Sequence, residues 1–580
     1  MQIQKMKHNK IFRSVVGVCL AGALASCSSD YLELTPQSSV TDKTVMKTTE
    51  TASYAVNGIA ALMIKNQGGS GTGYPAGNSG EAFMMTYWGD FMGEDYFSNL
   101  QGVWGGGVVN NMSVFANNRF MYGTSAWGFY YSIISDANRV LQYLDECEET
   151  TVGERDQIHA ELLTFRAHAY MRLLQLFAPR WSESLNGTRK CIVIRNEATT
   201  SDVPLSTMAE VFDCIYKDLD EAIGYFTQPE VAALERPNMS VPNLGVAYGT
   251  YARAALLKED WTTAEAMAKN AREGYKIMTA DEWGQGFIEA NSDYMWTNTI
   301  DVDDYGYYGA WGAYNACNGI YALAWGYGAG AIDRTLYLLL DKNDIRRNRF
   351  LMPESVNSSR QPLKNWYDEN YVNSGNMNVY NMAKNRLGSI AMLNFCSAAT
   401  PNTPSWASSV TPAYSNQTGN SYDIILQFGA QLKFYCADEA SHVSQYPFMR
   451  STEMLLAQAE AAYHLGSISE AQQLVTELCK ERITGYTSCT KTGQDLLDEI
   501  RLQRRIELWG EGSCFHDQKR WGWHNIRRAW VDGDTNSGNI PPEYAIDIAP
   551  DQANHWTLKV PYTESEYNKL INLSEIDWWN

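Results

Sequence analysis

The chain has 580 residues, a formal net charge of −20 and 12% aromatic residues, among them 18 Trp and 35 Tyr. So acidic a chain lacks the clustered cations that phosphate backbones and anionic lipid surfaces demand, which excludes nucleic acid and electrostatic adhesion to a bilayer. The length can bury a large core, and this much Trp and Tyr exceeds what such a core needs, which points to rings half exposed at a binding surface.

The N-terminus reads as an export signal. Lys5, Lys7, Lys10 and Arg13 precede a short apolar run from Val15 to Leu24, too short to span a membrane. Leu24-Ala25-Ser26-Cys27 then looks like a bacterial lipobox, which makes residues 1–26 a lipoprotein signal peptide and Cys27 the lipid-attachment residue. Several acyl chains on that cysteine would hold the protein to a membrane. A polar tether, Ser28-Ser29-Asp30, follows, and no long uncharged apolar run appears after it. Loss of the leader takes the formal charge from −20 to −24. Nine further cysteines lie well apart without any Cys-x-x-Cys, a spacing that signals no disulfide framework.

A helix is predicted from about Asp42 to Lys65, broken by Gly68-Gly69-Ser70-Gly71-Thr72-Gly73. Residues 66–126 are rich in Gly, Trp and Tyr and read as a long aromatic loop. Helices over Trp127–Cys147 and Val152–Phe177 then form an antiparallel pair. In the second, Leu162, Phe165, Ala169, Leu173 and Leu176 make one apolar row, and Leu163, Ala167, Tyr170, Leu174 and Phe177 make another beside it. An apolar arc that wide must be covered on more than one side, and Pro179 ends it. Two further helices are read at Met208–Phe226 and Leu244–Lys258. Tyr248–Leu257 followed by Asp260–Ala268, with small residues and Ala at four-residue spacing, has the look of a tetratricopeptide pair, and the scheme returns at Met454–Tyr463 and Ala471–Cys479. The fold class is therefore mostly α: interrupted tetratricopeptide-like helix pairs with a large, irregular, loop-rich insertion. Residues 27–279 form an N-terminal helical scaffold, 280–445 the insertion, and 446–580 a C-terminal helical repeat with its tail.

Catalytic signatures are missing. No His-Glu-x-x-His, Gly-x-Ser-x-Gly or zinc-ligand spacing occurs, so no catalytic residue, cofactor or metal site is assigned. Asp301-Val302-Asp303-Asp304 could offer oxygens to calcium but lacks the EF-hand spacing, and reads as a solvated acidic turn. Arg346-Arg347-Asn348-Arg349 reads as a solvated, ion-paired face. The aromatic clusters carry more information, because a sugar ring packs its C–H face on an aromatic plane while its hydroxyls need polar partners. Trp88, Trp104, Tyr307, Trp311 and Trp325 stand in glycine-rich surroundings unlike regular core and are the candidate stacking residues, with Asp90, Asp95 and Asn315 as hydroxyl partners. Trp296, in an apolar segment, reads as structural.

Four stretches together resemble the SusD/RagB family of glycan-binding lipoproteins. They are the lipobox with Asp30-Tyr31-Leu32-Glu33-Leu34-Thr35-Pro36; Glu161-Leu162, Phe165-Arg166-Ala167, Tyr170, Leu173 and Phe177-Ala178-Pro179; the Glu453–Gly466 helix; and Arg504, Glu507-Leu508, Glu511-Gly512, Asp517 and Arg520-Trp521. Cys514, His516 and the ending Glu575–Asn580 depart from the pattern. The resemblance implies a non-enzymatic, lipid-anchored outer-membrane protein at the cell exterior. Such a protein captures glycan on loops of the N-terminal region and the insertion, and passes it to a SusC-like TonB-dependent transporter. The residues by themselves leave two other classes open: a surface glycoside hydrolase, whose paired carboxylates are spaced only in three dimensions, and a helical-repeat adaptor or peptide-capture lipoprotein.

Overall fold

The computed structural model describes residues 48–64, 80–97, 115, 117–148, 151–285, 287–298, 311–316, 330–352, 413–415, 421–423, 429–434, 436, 443–531, 534–540, 542–552, 556–576 and 578. The helices labelled below are α1 (Thr49–Ile64), α2 (Glu81–Met84, continuing as a π-helical turn Met85–Asp90), α3 (Met121–Leu144), α4 (Val152–Phe177), α5 (Met208–Phe226), α6 (Leu244–Leu257), α7 (Trp261–Ala271), α8 (Trp311–Asn315), α9 (Ser451–His464), α10 (Ile468–Arg482), α11 (Gly493–Glu507) and α12 (Cys514–Trp521); short helices at Pro229–Ala232, Ala280–Gln285, Arg334–Leu339 and Tyr562–Tyr567 lie between or after them.

Local chemistry sets the ends of the scaffold helices. Thr151 and Glu154 close a reciprocal capping box at the start of α4, and Thr207 and Glu210 do the same for α5, so first-turn amides that a helix leaves open find acceptors. Asn243 and Asp260 cap α6 and α7 through Val246 N–H and Thr263 N–H. At the other end of α4, Lys519 from α12 donates its ammonium to the carbonyls of Gln175 and Ala178, a cation placed where the helix dipole is negative.

α4 is buried on nearly all sides, as its double apolar row requires, and packs against α1, α3, α5 and α6. The pairs α6–α7 and α9–α10 stack through α7 against α9. The packing there is tight: a Cβ added at Gly249 on α6 would lie 2.3 Å from Sδ of Met449, in the strand that leads into α9, and 3.3 Å from Met454 Sδ on α9. One hydrophobic core runs continuously from Ala52 to Trp578, and a smaller cluster lies among α9, α10 and α11.

Short strands stitch the insertion to the scaffold. Tyr294–Thr297, near the start of the insertion, pairs antiparallel with Pro447–Arg450, just past its end. Ala331–Ile332 lies between Tyr96–Phe97 and Ala430–Gln431, and Phe350–Leu351 completes that four-stranded sheet. Among the described residues no helix is long and apolar enough to cross a membrane.

Three expectations need correction. The first aromatic stretch is not all loop: α2 and its π-helical continuation occupy residues 81–90, and α3 begins at Met121 instead of Trp127. The segment 81–90 is buried on every face, so it shows no amphipathic period to betray it. Arg346 and Arg349 are buried, not solvated. Arg346 binds Asp344 and Glu507, and Arg349 donates to the carbonyls of Leu432 and Trp283. The Asp301–Asp304 turn lies outside the described residues, as do residues 1–47 with the leader and Cys27.

Candidate functional site

The structure brings four of the sequence-predicted residues together. Trp88 and Asp90 lie on the π-helical turn after α2, and Trp311 and Asn315 lie on α8. The indole N–H of Trp311 donates to Thr86 Oγ1 at 2.8 Å, and Tyr314 meets Phe83 edge-on with ring centres 6.0 Å apart. Asn315 is tied in turn to the central sheet, its carbonyl accepting from Gln431 Nε2 at 2.8 Å. The aromatic segment of the scaffold and the beginning of the insertion thus form one layer.

That layer is core. Trp88 is 2% exposed, packed at 4.9 Å on Tyr87 and at 6.4 Å on Phe115. Trp311 is 7% exposed, against Tyr446 and Phe434. Glycine beside these rings serves close approach of buried backbone, so the reading that glycine-rich surroundings place Trp88 and Trp311 outside regular core is corrected. Asp90 is fully buried and accepts from the Gly512 amide at 2.8 Å. Burial pushes its carboxyl well above the usual range, opposed by that amide and by Lys433. Asp95 is bound by Arg505 at 2.9 Å and by the Cys514 thiol, and is thereby an ion-pair partner in the core. Asn315 is 5% exposed. Trp296 is structural as expected, buried with its indole N–H on Ser240 O. Trp104, Tyr307 and Trp325 lie outside the described residues.

The residues that carried the family resemblance build a second, electrostatic centre that sequence reasoning did not foresee. Glu507 accepts from Arg482 at 3.0 Å and from Arg346 at 3.2 Å, with Arg450 at 3.4 Å. Burial alone would raise its pKa, but Arg482, Arg450 and Arg346 override burial and hold the carboxyl well below the ordinary range. Glu511 binds Arg450 at 2.7 and 2.8 Å and the ammonium of Lys433 at 2.5 Å. Asp517 bridges Arg504 and Arg520, and Glu460 takes both terminal nitrogens of Arg520 and the Trp521 indole. Against the cost of burial, Arg520, Arg504 and Trp521 bring Glu460 down to about 2. On α4, Arg166 forks onto Asp218 at 2.8 and 2.6 Å and also reaches Asn138. The cations Arg346, Arg450, Arg482 and Lys433 gave no local signal, because Arg482 is 25 residues and Arg346 161 residues from the Glu507 they share. This centre fastens the insertion and α12 to the helix pairs. Its carboxylates are engaged by arginine or lysine, which suits holding a fold better than acid–base chemistry. Among the described residues no cluster of His, Cys, Asp and Glu is arranged to hold a metal ion.

Comparison with known proteins identifies the frame. Residues 408–579 match the family model described as "SusD family", and residues 30–256 match one described as "Starch-binding associating with outer membrane". No curated protein matches the chain significantly. Among solved structures, a SusD-like carbohydrate-binding protein from Bacteroides vulgatus superposes with a TM-score of 0.66 at 19% identity, covering 90% of this chain and 97% of that one. A SusD superfamily protein from Bacteroides fragilis gives 0.61 at 16% identity, over 91% of this chain and 100% of its own. The surface glycan-binding protein A of Bacteroides thetaiotaomicron, in complex with laminarihexaose, gives 0.57 at 16%, over 90% and 98%. The two SusD-type family models together account for well over half of its length: the chain belongs to the SusD family.

Proposed function

We propose that this protein is a lipid-anchored, non-enzymatic glycan-binding protein of the outer-membrane surface, which captures oligosaccharide or polysaccharide and delivers it to a SusC-like TonB-dependent transporter. The observation that carries this reading is the shared layer of the first aromatic segment and the insertion, in a chain of this family whose fold is that of a laminarihexaose-bound protein. Trp88 and Trp311 serve as the floor that orients the segments around them. Trp104, Tyr307 and Trp325, which follow or flank that floor in sequence, are the proposed stacking residues. Capture would rest on ring stacking and peripheral hydrogen bonds, with modest affinity per site raised by local concentration. The lipid at Cys27 would hold the protein at the membrane, and the transporter would complete the path inward.

The test is binding of residues 28–580 to a panel of plant, microbial and host glycans by calorimetry. Trp104→Ala and Trp325→Ala should weaken binding at least tenfold while leaving the melting temperature unchanged. Release of shortened sugar from a bound glycan would overturn the non-enzymatic reading in favour of a hydrolase. Silence across the panel, with retention of a peptide or protein, would favour the adaptor. Co-purification with a TonB-dependent outer-membrane transporter from the native membrane tests delivery.

A further inference from the structure

Tryptophan is more plentiful in this chain than its core needs, and the structure shows where part of the surplus goes. Every tryptophan among the described residues is buried except Trp181, Trp261, Trp521 and Trp523, which are half-buried. These rings are far apart in sequence, yet a series of contacts joins them on one face of the helical scaffold. Trp521 and Trp523, at the end of α12, meet with ring centres 4.8 Å apart. The Arg501 guanidinium, from α11, lies over both, at 5.1 and 5.2 Å. The Trp521 indole N–H donates to Glu460 on α9. One turn further along α9, His464 stacks flat on Trp261, with ring centres 3.9 Å apart and planes at 14°. Lys258, at the end of α6 just before Trp261, lies 5.9 Å from the ring centre of Trp181 and 4.5 Å from that of Tyr216. A Cβ on Gly522, between Trp521 and Trp523, would run into the guanidinium of Arg180, the neighbour of Trp181.

The rings of this patch differ from those of the core in what their edges do. Buried indoles use their N–H inside the protein: Trp127 donates to Glu564, Trp296 to Ser240 O and Trp509 to Asp95 O. The N–H groups of Trp181, Trp261 and Trp523 make no hydrogen bond among the described residues, and none of the three is shut away from solvent. Trp261 has one face on His464, so its exposure lies at the other face and the edge, and the stack fixes its orientation. Charge around the rings is mixed. Arg180 pairs with Glu183 at 2.8 Å, Arg520 pairs with Glu460, and Arg501 feels both Glu460 and Asp498. Such a rim has no excess of one sign with which to select an anion or a cation. It offers donors and acceptors side by side around flat apolar surface, which suits an uncharged ligand with an apolar C–H face and many hydroxyls.

We propose that this face is a second glycan-binding surface, which takes a segment of a neutral oligosaccharide. Trp261 is its stacking platform and Trp523 its second ring, and the three open indole N–H groups and the ion-paired rim meet the hydroxyls. It shares no residue with the site proposed above, so either can fail without the other.

The test compares the soluble chain, residues 28–580, with two double variants, Trp104→Ala/Trp325→Ala and Trp261→Ala/Trp523→Ala, and with the quadruple variant that combines them. Each is applied to an array of neutral plant, microbial and host oligosaccharides, and the ligands retained are titrated by calorimetry. The Trp104→Ala/Trp325→Ala protein should still bind a neutral oligosaccharide, and the quadruple variant should bind that same ligand at least tenfold more weakly while keeping a cooperative melt. Trp261→Phe keeps a ring against His464 and removes the N–H; it is the second variant should Trp261→Ala fail to fold, with an expected loss of about threefold, that of one hydrogen bond. The absence of any neutral ligand for the Trp104→Ala/Trp325→Ala protein overturns the proposal, as does binding that changes at Trp261 and Trp523 leave untouched. Trp261→Ala/Trp523→Ala protein that keeps all its glycan binding but no longer co-purifies with an outer-membrane protein would make the face a protein interface, which also overturns it.

Discussion

Glu161 shows how one buried group can give the whole protein a pH dependence. It belongs to the Glu-Leu of the family signature, yet among the described residues its carboxyl meets only Gln157, at 2.9 Å, with the charge of Arg236 acting from further off. Burial outweighs both and lifts its pKa to about 8. Its folded pKa is thus above the unfolded value of about 4.5. The stability tied to the neutral form is complete below pH 4.5 and is lost as pH rises through 8. Glu161→Gln keeps the shape and removes the titration. Urea melts should show the variant more stable than the parent by on the order of 2 kcal/mol at pH 8 and equal to it at pH 4; equal stability at both would refute the shift. Trp88 makes the complementary point about binding residues. With its ring in the core, Trp88→Ala should cost about 3–5 kcal/mol in the same melts. Any loss of glycan binding in that variant should track unfolding and be absent in the fraction that stays folded.

Glycine carries the contact between elements where the π-helical turn of α2 meets the loop before α12. A Cβ at Gly89 would stand 2.0 Å from the Gly512 carbonyl oxygen, which is backbone and cannot step aside. Gly512 has φ +75, and a Cβ there would stand 2.5 Å from Met85 Cβ. The Glu-Gly of the family signature is therefore explained twice: the acid holds Arg450 and Lys433, and the glycine lets two backbones touch. Gly89→Ala and Gly512→Ala should each lower stability by about 3 kcal/mol or more, or abolish folding. Gly58, within α1, has open space around its missing Cβ, so Gly58→Ala should stabilise by about 0.5–1 kcal/mol. Thermal melts of the three variants side by side separate a glycine needed for contact from one that only weakens a helix.

At the scale of the molecule, the sequence disclosed what local rules govern. The bounds of α4 and α5 are those read from the sequence, Val152–Phe177 and Met208–Phe226, because apolar period and, for α4, Pro179 lie within a few residues of what they set. The buried centre was not legible, since its pairs join Asp293 to Arg450 and Glu507 to Arg346 across more than a hundred residues. Nor was the burial of Trp88 and Trp311, because a ring that fills a core and a ring that meets a sugar share the same composition. The centre nevertheless makes a prediction about the whole chain. Glu81 and Glu460, despite burial, are brought to about 2 by arginine partners, and Glu453 and Glu507 are likewise lowered. Folded values below the unfolded one mean stability that is present above pH 4.5 and lost as pH falls towards 2. Buried His168 and His516, whose folded pKa values are lowered by burial, act in the same direction from pH 6.5 downwards. Carboxyls raised by burial, Asp90 and Glu161 among them, no longer oppose this below pH 4.5, where both states hold the proton. Stability should therefore fall steeply between pH 4.5 and 2. Glu460→Gln should cost about 3–5 kcal/mol at pH 7, by leaving Arg520 with Asp517 alone. Because the unfolded parent takes up this proton near pH 4.5 and the folded parent only near 2, most of the advantage of the charge is gone by pH 2.5, and the gap between the two should narrow there. A gap that stays constant between those pH values would mean that the Glu460–Arg520 pair, and by extension the centre it belongs to, does not govern how this protein meets acid.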